Sequence, residues 1–262
     1  MSTLYAAFWA ELLKARRSLI SLLSVAGFMI LPVVSGLFMV ILKDPEQARA
    51  MGLISMKAQL AAGVADWPAH FGMLLMGTAI GGLMLFSIIT AWVFGREFSD
   101  HTVKELLALP TPRRTIVTAK FILIALWALA LSLLIFAVGI GVGMVVDIPG
   151  WSAALAWSSF GKLLLIVCLL YLLMPVVALF ASSGRGYLPP LGWAFLSMVL
   201  AQIAGVLGWG DWFPWTVPGL LTDLSGPSTG PMPVHSYLVV LATFAAGMAA
   251  IYWWWRSADQ AG

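Results

Sequence analysis

Six long runs of apolar residues dominate the sequence, and apart from Lys120 they contain no Asp, Glu, Lys or Arg. Each run reaches the length of about 20 residues that an α-helix needs to cross the hydrocarbon core of a bilayer. Hydrophobic residues make up 61% of the chain and charged residues only 10%, which is too few to cover a folded surface in water. We therefore expect an all-α membrane protein with six transmembrane helices.

The predicted spans leave only short connecting segments, so we treat residues 1–262 as a single transmembrane domain. The spans cover residues 19–42, 70–94, 116–146, 163–182, 188–207 and 236–255. The third span is longer than a perpendicular crossing requires, which indicates a tilted helix or an extension beyond the membrane.

Basic residues indicate the orientation, because Lys and Arg are enriched in the cytoplasmic segments of membrane proteins. If the spans alternate in direction, one side of the membrane holds Lys14, Arg16, Arg17, Arg96, Lys104, Arg113, Arg114, Lys120, Arg185 and Arg256. The other side has fewer basic residues, and acidic residues such as Asp44 and Asp147 offset them. We therefore expect both termini in the cytoplasm.

Two short helices are predicted outside the spans. In residues 1–18, the side chains of Tyr5, Trp9 and Leu12 share one helical face and those of Glu11 and Lys14 the other, a pattern typical of a helix lying flat in the membrane interface. The alternative is a cytoplasmic extension of the first span. Between spans two and three, a second short helix is bounded by polar residues at its start and by prolines at its end.

This second helix has a recognisable start and an apolar stripe. Thr102 and Glu105 fit a capping box, in which each side chain caps the backbone amide of the other. Val103, Leu106 and Leu107 form the stripe. Two helical turns are too short to be stable alone, so we expect the stripe to pack on a partner surface or, alternatively, on the protein's own bundle.

The usual sequence signatures of membrane enzymes and ion-coupled pumps are missing. No glycine-rich phosphate-binding loop is present, and the three histidines lack metal-ligand spacing. The segment Gly208–Asp211 matches a short motif of intramembrane aspartyl proteases, but those enzymes need two facing aspartates inside the membrane. Pumps usually place ionisable groups at mid-membrane. We therefore expect no catalytic, cofactor or metal site, and energy for any uphill transport must come from outside the bilayer.

The segment after span two resembles the corresponding loop of ABC-2 type transporter permeases, particularly the bacitracin- and lantibiotic-export group. The residues that carry the resemblance are EFSDHTVKELLALPTPRR, from Glu97 to Arg114, followed by Lys120 at the head of span three. His101 stands where many members have glycine. The order of an N-terminal helix, six spans and an aromatic outer segment extends the resemblance over nearly the whole chain.

The resemblance implies that the short helix is a coupling helix that docks on an ATP-hydrolysing subunit. Its residues would be Glu97, Asp100, Thr102, Val103, Lys104, Glu105, Leu106, Leu107, Pro110, Arg113 and Arg114. The apolar stripe would fill a groove of the partner, and the orientation at its rim would be set by Lys104, Glu105, Arg113 and Arg114. ATP would be bound by that partner and not by this chain.

The aromatic segment before the last span is predicted to close the outer end of a pathway. Its main residues are Trp212, Phe213, Pro214, Trp215 and Pro218. Backbone that is not helical at membrane depth must be buried in protein or line water. We interpret the segment as a re-entrant or interfacial gate.

The functional expectation from the resemblance is a permease subunit of an ATP-driven exporter in the bacterial cytoplasmic membrane. Its expected partners are the lipid bilayer, two cytoplasmic ATP-binding subunits and a second permease subunit, identical or related, with no nucleic acid. The substrate would be amphipathic or hydrophobic, such as a peptide antibiotic, lipid or drug, and export would confer antibiotic resistance. The alternatives are a membrane scaffold or assembly factor that transports nothing, and a membrane-embedded enzyme.

Overall fold

The computed structural model describes residues 3–44, 52, 64–103, 105, 111–222 and 232–257. The helices are α1 Thr3–Arg16, α2 Leu19–Lys43, α3 Trp67–Ser99, α4 Arg113–Val145, α5 Ala153–Ser183, α6 Leu188–Val206, α7 Val217–Leu220 and α8 Val234–Ser257. No strand occurs in these described residues. By length and composition, α2 to α6 and α8 could each cross a membrane, so the all-α fold with six candidate spans is confirmed.

The helices begin and end within a few residues of the predicted spans, except at the start of α5. That helix begins at Ala153, ten residues before the predicted start of span four at 163. The Ser152 side chain accepts a hydrogen bond from the Leu155 amide at 3.1 Å and caps the helix there. The apolar run predicts only the part of α5 that crosses the hydrocarbon core. The first ten residues of the helix were missed because a cap can start a helix outside that core.

α1 is a separate helix, because the backbone becomes extended at Ser18 before α2 begins. The Ser21 hydroxyl donates to the Ala15 carbonyl at 2.6 Å and so occupies one of the free acceptors at the end of α1. α1 turns its polar Glu11 inward and leaves Tyr5 and Trp9 about half exposed. This arrangement supplies an apolar outer face, and a position of α1 in the membrane interface stays a prediction.

α3 and α5 form the centre of the bundle. They make the most extensive helix–helix contact in the structure, and α8 packs against the other side of α5. α2 packs against α3 and α4, α6 against α3 and α5, and α1 against α4. We call the end of the bundle that holds α1 and the last turn of α8 the terminal end, and the opposite end the far end.

Glycines of α3 and α4 allow the neighbouring helices to approach closely. A Cβ atom on Gly139 would lie 2.5 Å from Leu74 Cδ1, and one on Gly143 would overlap the Trp67 indole. Gly77 of α3 is covered in the same way by Leu31 of α2. Pairs of small residues are typical of such contacts in membranes, and here they serve packing within the bundle.

We predict that Gly143→Ala destabilises the protein by about 1–3 kcal/mol, because the added methyl group must displace a buried indole. Gly141→Ala is the matched control in the same helix, since a Cβ there meets nothing within 4 Å. Removing that glycine should be neutral or slightly stabilising. Thermal denaturation of both variants in mild detergent measures the difference, and equal melting temperatures would show that the α3–α4 approach is looser than described.

Candidate functional site

Four charged side chains meet where α1 reaches the terminal ends of α3 and α4. The Lys120 ammonium donates to Glu11 Oε2 at 3.0 Å, to Glu97 Oε1 at 2.8 Å and to the Val93 carbonyl at 2.7 Å. The Lys14 ammonium donates to Glu11 Oε1 at 2.8 Å and to Glu97 Oε1 at 3.0 Å. We call Glu11, Lys14, Glu97 and Lys120 the ionic cluster.

The ionic cluster is buried and electrically balanced. The side chains of Lys120, Glu97 and Glu11 are 0%, 3% and 6% exposed, and Lys14 is 30% exposed. Two carboxylates face two ammonium groups, so the net charge is zero. All three N–H donors of Lys120 have acceptors, which is the condition under which a buried charge is tolerated. Removing any one member leaves an uncompensated charge in a region of low dielectric constant.

The ionic cluster lies at the base of the segment between α3 and α4. Glu97 is in the last turn of α3, and Lys120 is in the third turn of α4. Glu11 and Lys14 are three residues apart on α1 and therefore share one helical face. The cluster thus joins α1, α3 and α4 on either side of the point where the predicted coupling segment leaves the bundle.

The predicted coupling segment begins with a regular helix end. Asp100 follows α3, and its carboxylate accepts from Arg96 Nε at 3.2 Å. His101 has a φ of 57°, and the Thr102 amide donates to the Glu97 carbonyl at 2.9 Å. The α-helix therefore ends in a residue with left-handed backbone conformation, His101. Glycine is favoured at such a position, and histidine is tolerated there.

The structure describes only some of the remaining predicted coupling residues. Val103 and Glu105 are helical, and Glu105 is exposed. Lys104, Leu106, Leu107 and Pro110 lie outside the described residues. Glu97, another predicted coupling residue, is buried in the ionic cluster.

Arg113 and Arg114 differ in their surroundings. Arg113 Nη1 donates to the Trp255 carbonyl at 3.0 Å, and Trp255 Nε1 donates to Ser182 Oγ at 3.1 Å. Arg113 therefore ties the start of α4 to the end of α8 and, through Trp255, to α5. Arg114 is exposed and is free to contact a partner.

The predicted outer gate lies at the far end, as a set of turns that leads into α7. The Trp215 ring contacts the Trp193 ring at a centroid distance of 5.3 Å and the Phe213 ring at 5.5 Å. Pro218 is buried, Pro214 is half-buried, and Trp212 is largely exposed. Trp215 and Thr216 therefore contact α6, and α7 packs against α5, α3 and α8.

A cavity of about 640 Å³ lies between α3, α6 and this outer segment. Its walls are mostly apolar, and its polar groups include Gln202, Asp211 and Thr216. The Asp211 carboxylate is 2.9 Å from His235 Nε2, and the Trp212 ring stacks on the His235 ring at 4.2 Å. An apolar cavity with a few polar groups is suited to an amphipathic ligand.

His70 forms a polar connection that the sequence did not identify. Its Nδ1 atom is 2.8 Å from Ser35 Oγ, and its Nε2 atom is 2.9 Å from the Gly139 carbonyl. It is fully buried and links α2, α3 and α4 toward the far end. Its two partners lie 35 and 69 residues away, so no local pattern indicates them.

The sequence profile of the ABC-2 family of transporter proteins matches residues 7–201. The chain is also similar to the bacitracin transport permease protein BCRB of Bacillus licheniformis. The two are 25% identical over 179 residues, which cover 68% of this chain and 85% of that protein. No solved structure matches the chain. Residues 7–201, which the family profile matches, contain all four residues of the ionic cluster and most of the six spans.

We predict that Lys120→Met destabilises the protein by about 3–5 kcal/mol, because Glu11 and Glu97 then share only one cation in a buried site. The double variant Lys120→Met, Glu97→Gln restores the charge balance and should recover part of this loss. Arg256→Met is the control, since Arg256 is an exposed cation at the same end. It should change stability by no more than about 0.5 kcal/mol.

Thermal denaturation in detergent measures all three effects. Equal melting temperatures for the Lys120 and Arg256 variants would contradict a stabilising ionic cluster. So would a double variant that is less stable than Lys120→Met alone.

Proposed function

Because the chain belongs to the ABC-2 family of transporter proteins, we propose that it is the permease subunit of an exporter driven by ATP hydrolysis on separate cytoplasmic subunits. Members of this kind are the transmembrane component and not the ATPase. Export, the use of ATP and the identity of the partner subunits go beyond family membership and are proposed here. Membership in a transporter family favours it over a scaffold or a membrane-embedded enzyme.

The observation that carries the coupling proposal is the position of the ionic cluster at the base of the segment between α3 and α4. A partner that pushes or pulls residues 100–112 acts directly on the last turn of α3 and the first turns of α4. Through Glu97 and Lys120 the movement also reaches α1. We propose that this route carries work from the ATP-binding subunit into the bundle.

The distribution of basic residues supports an orientation with the terminal end in the cytoplasm. Arg96, Arg113, Arg185 and Arg256 all lie at that end, at helix termini or in turns. Segments rich in Lys and Arg remain on the cytoplasmic side during insertion. ATP is hydrolysed on the same side, so this orientation places residues 100–112 where an ATP-binding subunit can reach them.

We propose an amphipathic or hydrophobic substrate, in the class of peptide antibiotics, lipids or drugs. The similar protein from Bacillus licheniformis is named for bacitracin transport. The apolar far-end cavity, with Asp211 and Gln202 among its polar groups, supports a ligand of mixed character. By family resemblance, two permease subunits, identical or related, would combine with two ATP-binding subunits.

The coupling proposal is tested by Leu106→Asp, which places a charge in the predicted apolar stripe. A carboxylate cannot enter an apolar groove without a large loss of hydration energy. We expect loss of co-purification with the ATP-binding subunit, and loss of substrate-stimulated ATPase activity in liposomes, with unchanged membrane insertion. Leu106→Met is the control and should retain both activities. Unchanged recovery of the partner with Leu106→Asp would contradict the coupling role.

Orientation and gate are tested together by cysteine labelling with a membrane-impermeant maleimide. The background is Cys168→Ala, because Cys168 is exposed on α5. From outside the cell, Trp209→Cys should react readily, since Trp209 is 69% exposed. Thr216→Cys should react at least about tenfold more slowly, because the side chain at that position packs on α6. Glu105→Cys should react only after the membrane is permeabilised.

Two outcomes of the labelling contradict separate parts of the proposal. External labelling of Glu105→Cys would reverse the orientation. Rapid labelling of Thr216→Cys in every functional state would rule out a closed outer gate.

A further inference from the structure

A second cavity, of about 440 Å³, lies at the terminal end between α1, α3 and the turn that precedes α6. Three cationic side chains line it, from Lys14, Arg17 and Arg96. Asp100, Trp92 and Tyr187 complete its polar and aromatic walls. Among these lining residues only Asp100 belongs to the predicted coupling segment, and none belongs to the outer gate.

The charges around the cavity do not cancel. Lys14 is compensated within the neutral ionic cluster, and Arg96 is paired with Asp100. Arg17 is exposed, and its guanidinium has no hydrogen-bond or ion-pair partner among the described residues. The lining and the adjoining ionic cluster together therefore carry an excess of one positive charge, located at Arg17.

The protein also presents hydrogen-bond donors and a favourable helix end. The cavity includes Ser18, the residue that precedes α2, and its side chain makes no capping hydrogen bond. The first amides of a helix carry partial positive charge and attract anions.

Burial and the nearby Asp100 and Glu97 carboxylates raise the pKa of Tyr187, so its phenol stays protonated. The Arg96 guanidinium lies over the Trp92 ring, with 5.2 Å between the guanidinium carbon and the ring centroid.

The surface next to the cavity is apolar and belongs to a spanning helix. Leu19, Leu22 and Leu23, in the first turns of α2, are 76%, 68% and 62% exposed. In a membrane these side chains face acyl chains. An anion bound at Arg17 would therefore sit at the headgroup level, directly beside a surface suited to its lipid tails.

We propose that this cavity binds the phosphodiester headgroup of an anionic phospholipid, with Arg17 as the principal charge and Arg96 as a second donor. One phosphodiester carries one negative charge, which equals the excess located at Arg17. Basic pockets between helices at the membrane surface are suited to such headgroups. Arginine binds phosphate oxygens through paired N–H donors. The site shares Asp100 with the predicted coupling segment and Lys14 with the ionic cluster, but lipid binding is measured without ATP, substrate or a partner subunit, so its failure and a failure of the transport proposal are distinguishable.

The test is a lipid titration of the purified full-length chain in detergent, followed by native mass spectrometry. Phosphatidylglycerol is the anionic ligand, and phosphatidylcholine, with equal chains, is the neutral control. We expect phosphatidylglycerol to bind more tightly. Arg17→Gln should weaken its binding about fivefold, as expected for one basic residue at a membrane surface. Arg16→Gln, an adjacent exposed arginine outside the cavity lining, should have no effect.

Two further measurements sharpen the assignment. Arg17→Lys retains the charge and should keep most of the affinity. Asp100→Asn releases Arg96 from its carboxylate partner and should strengthen phosphatidylglycerol binding. Millimolar inorganic phosphate should not displace the lipid, since it lacks the tails that pack along α2.

Three results would overturn the proposal. These are equal binding of phosphatidylglycerol and phosphatidylcholine, equal weakening by Arg17→Gln and Arg16→Gln, and complete displacement by inorganic phosphate. The last result would assign the cavity to a soluble anion instead of a lipid.

Discussion

The ionic cluster is the constraint on which the terminal end of this protein depends. A charge buried in a bundle is tolerated only while its counter-charges remain within hydrogen-bond distance. Lys120 is fully buried and contacts both Glu11 and Glu97, so α1 and α4 cannot separate from α3 without exposing an unbalanced charge to an apolar environment. The three helix ends are therefore joined as one unit. The segment between α3 and α4 leaves from this unit, so the proposed coupling partner would act on all three helices together.

The far end is held together differently, by uncharged polar contacts and close packing. His70 connects Ser35 with the Gly139 carbonyl, and the Trp67 indole covers Gly143. These interactions are short-ranged and join α2, α3 and α4. Two of these helices, α3 and α4, also belong to the unit at the terminal end. α6 is packed on fewer sides, and a cavity separates part of it from α3. Because α2, α3 and α4 are joined at the far end and α6 is less constrained, we expect a displacement of the terminal end to shift α6 relative to α3, at the outer cavity.

The spans could be predicted from the sequence because the bilayer imposes a length and a polarity on each of them. The predicted edges differed where the constraint is a local hydrogen bond, as at Ser152, which starts α5 outside the apolar run. The ionic cluster was missed because Glu11 and Lys120 are 109 residues apart, and helical periodicity shows which face a residue occupies but not which helix it meets. The aromatic outer segment was recognised by composition. Only the structure shows that its Trp215 packs on Trp193 of α6.

The balance of charge at the terminal end links the coupling segment to the proposed lipid site. A neutral ionic cluster exerts little attraction on an anion at a distance, so Lys14 can line the cavity without determining what binds there. Arg17 determines the affinity because no carboxylate compensates it. A phospholipid held by Arg17 and Arg96 would contact α1 and α3 together, which are two of the three helices in the unit at the terminal end. It would thereby fix the depth of that unit in the membrane. The end of α3, where the predicted coupling segment begins, would then stay at a constant depth, and the proposed partner subunit could act there without the whole bundle tilting or sinking.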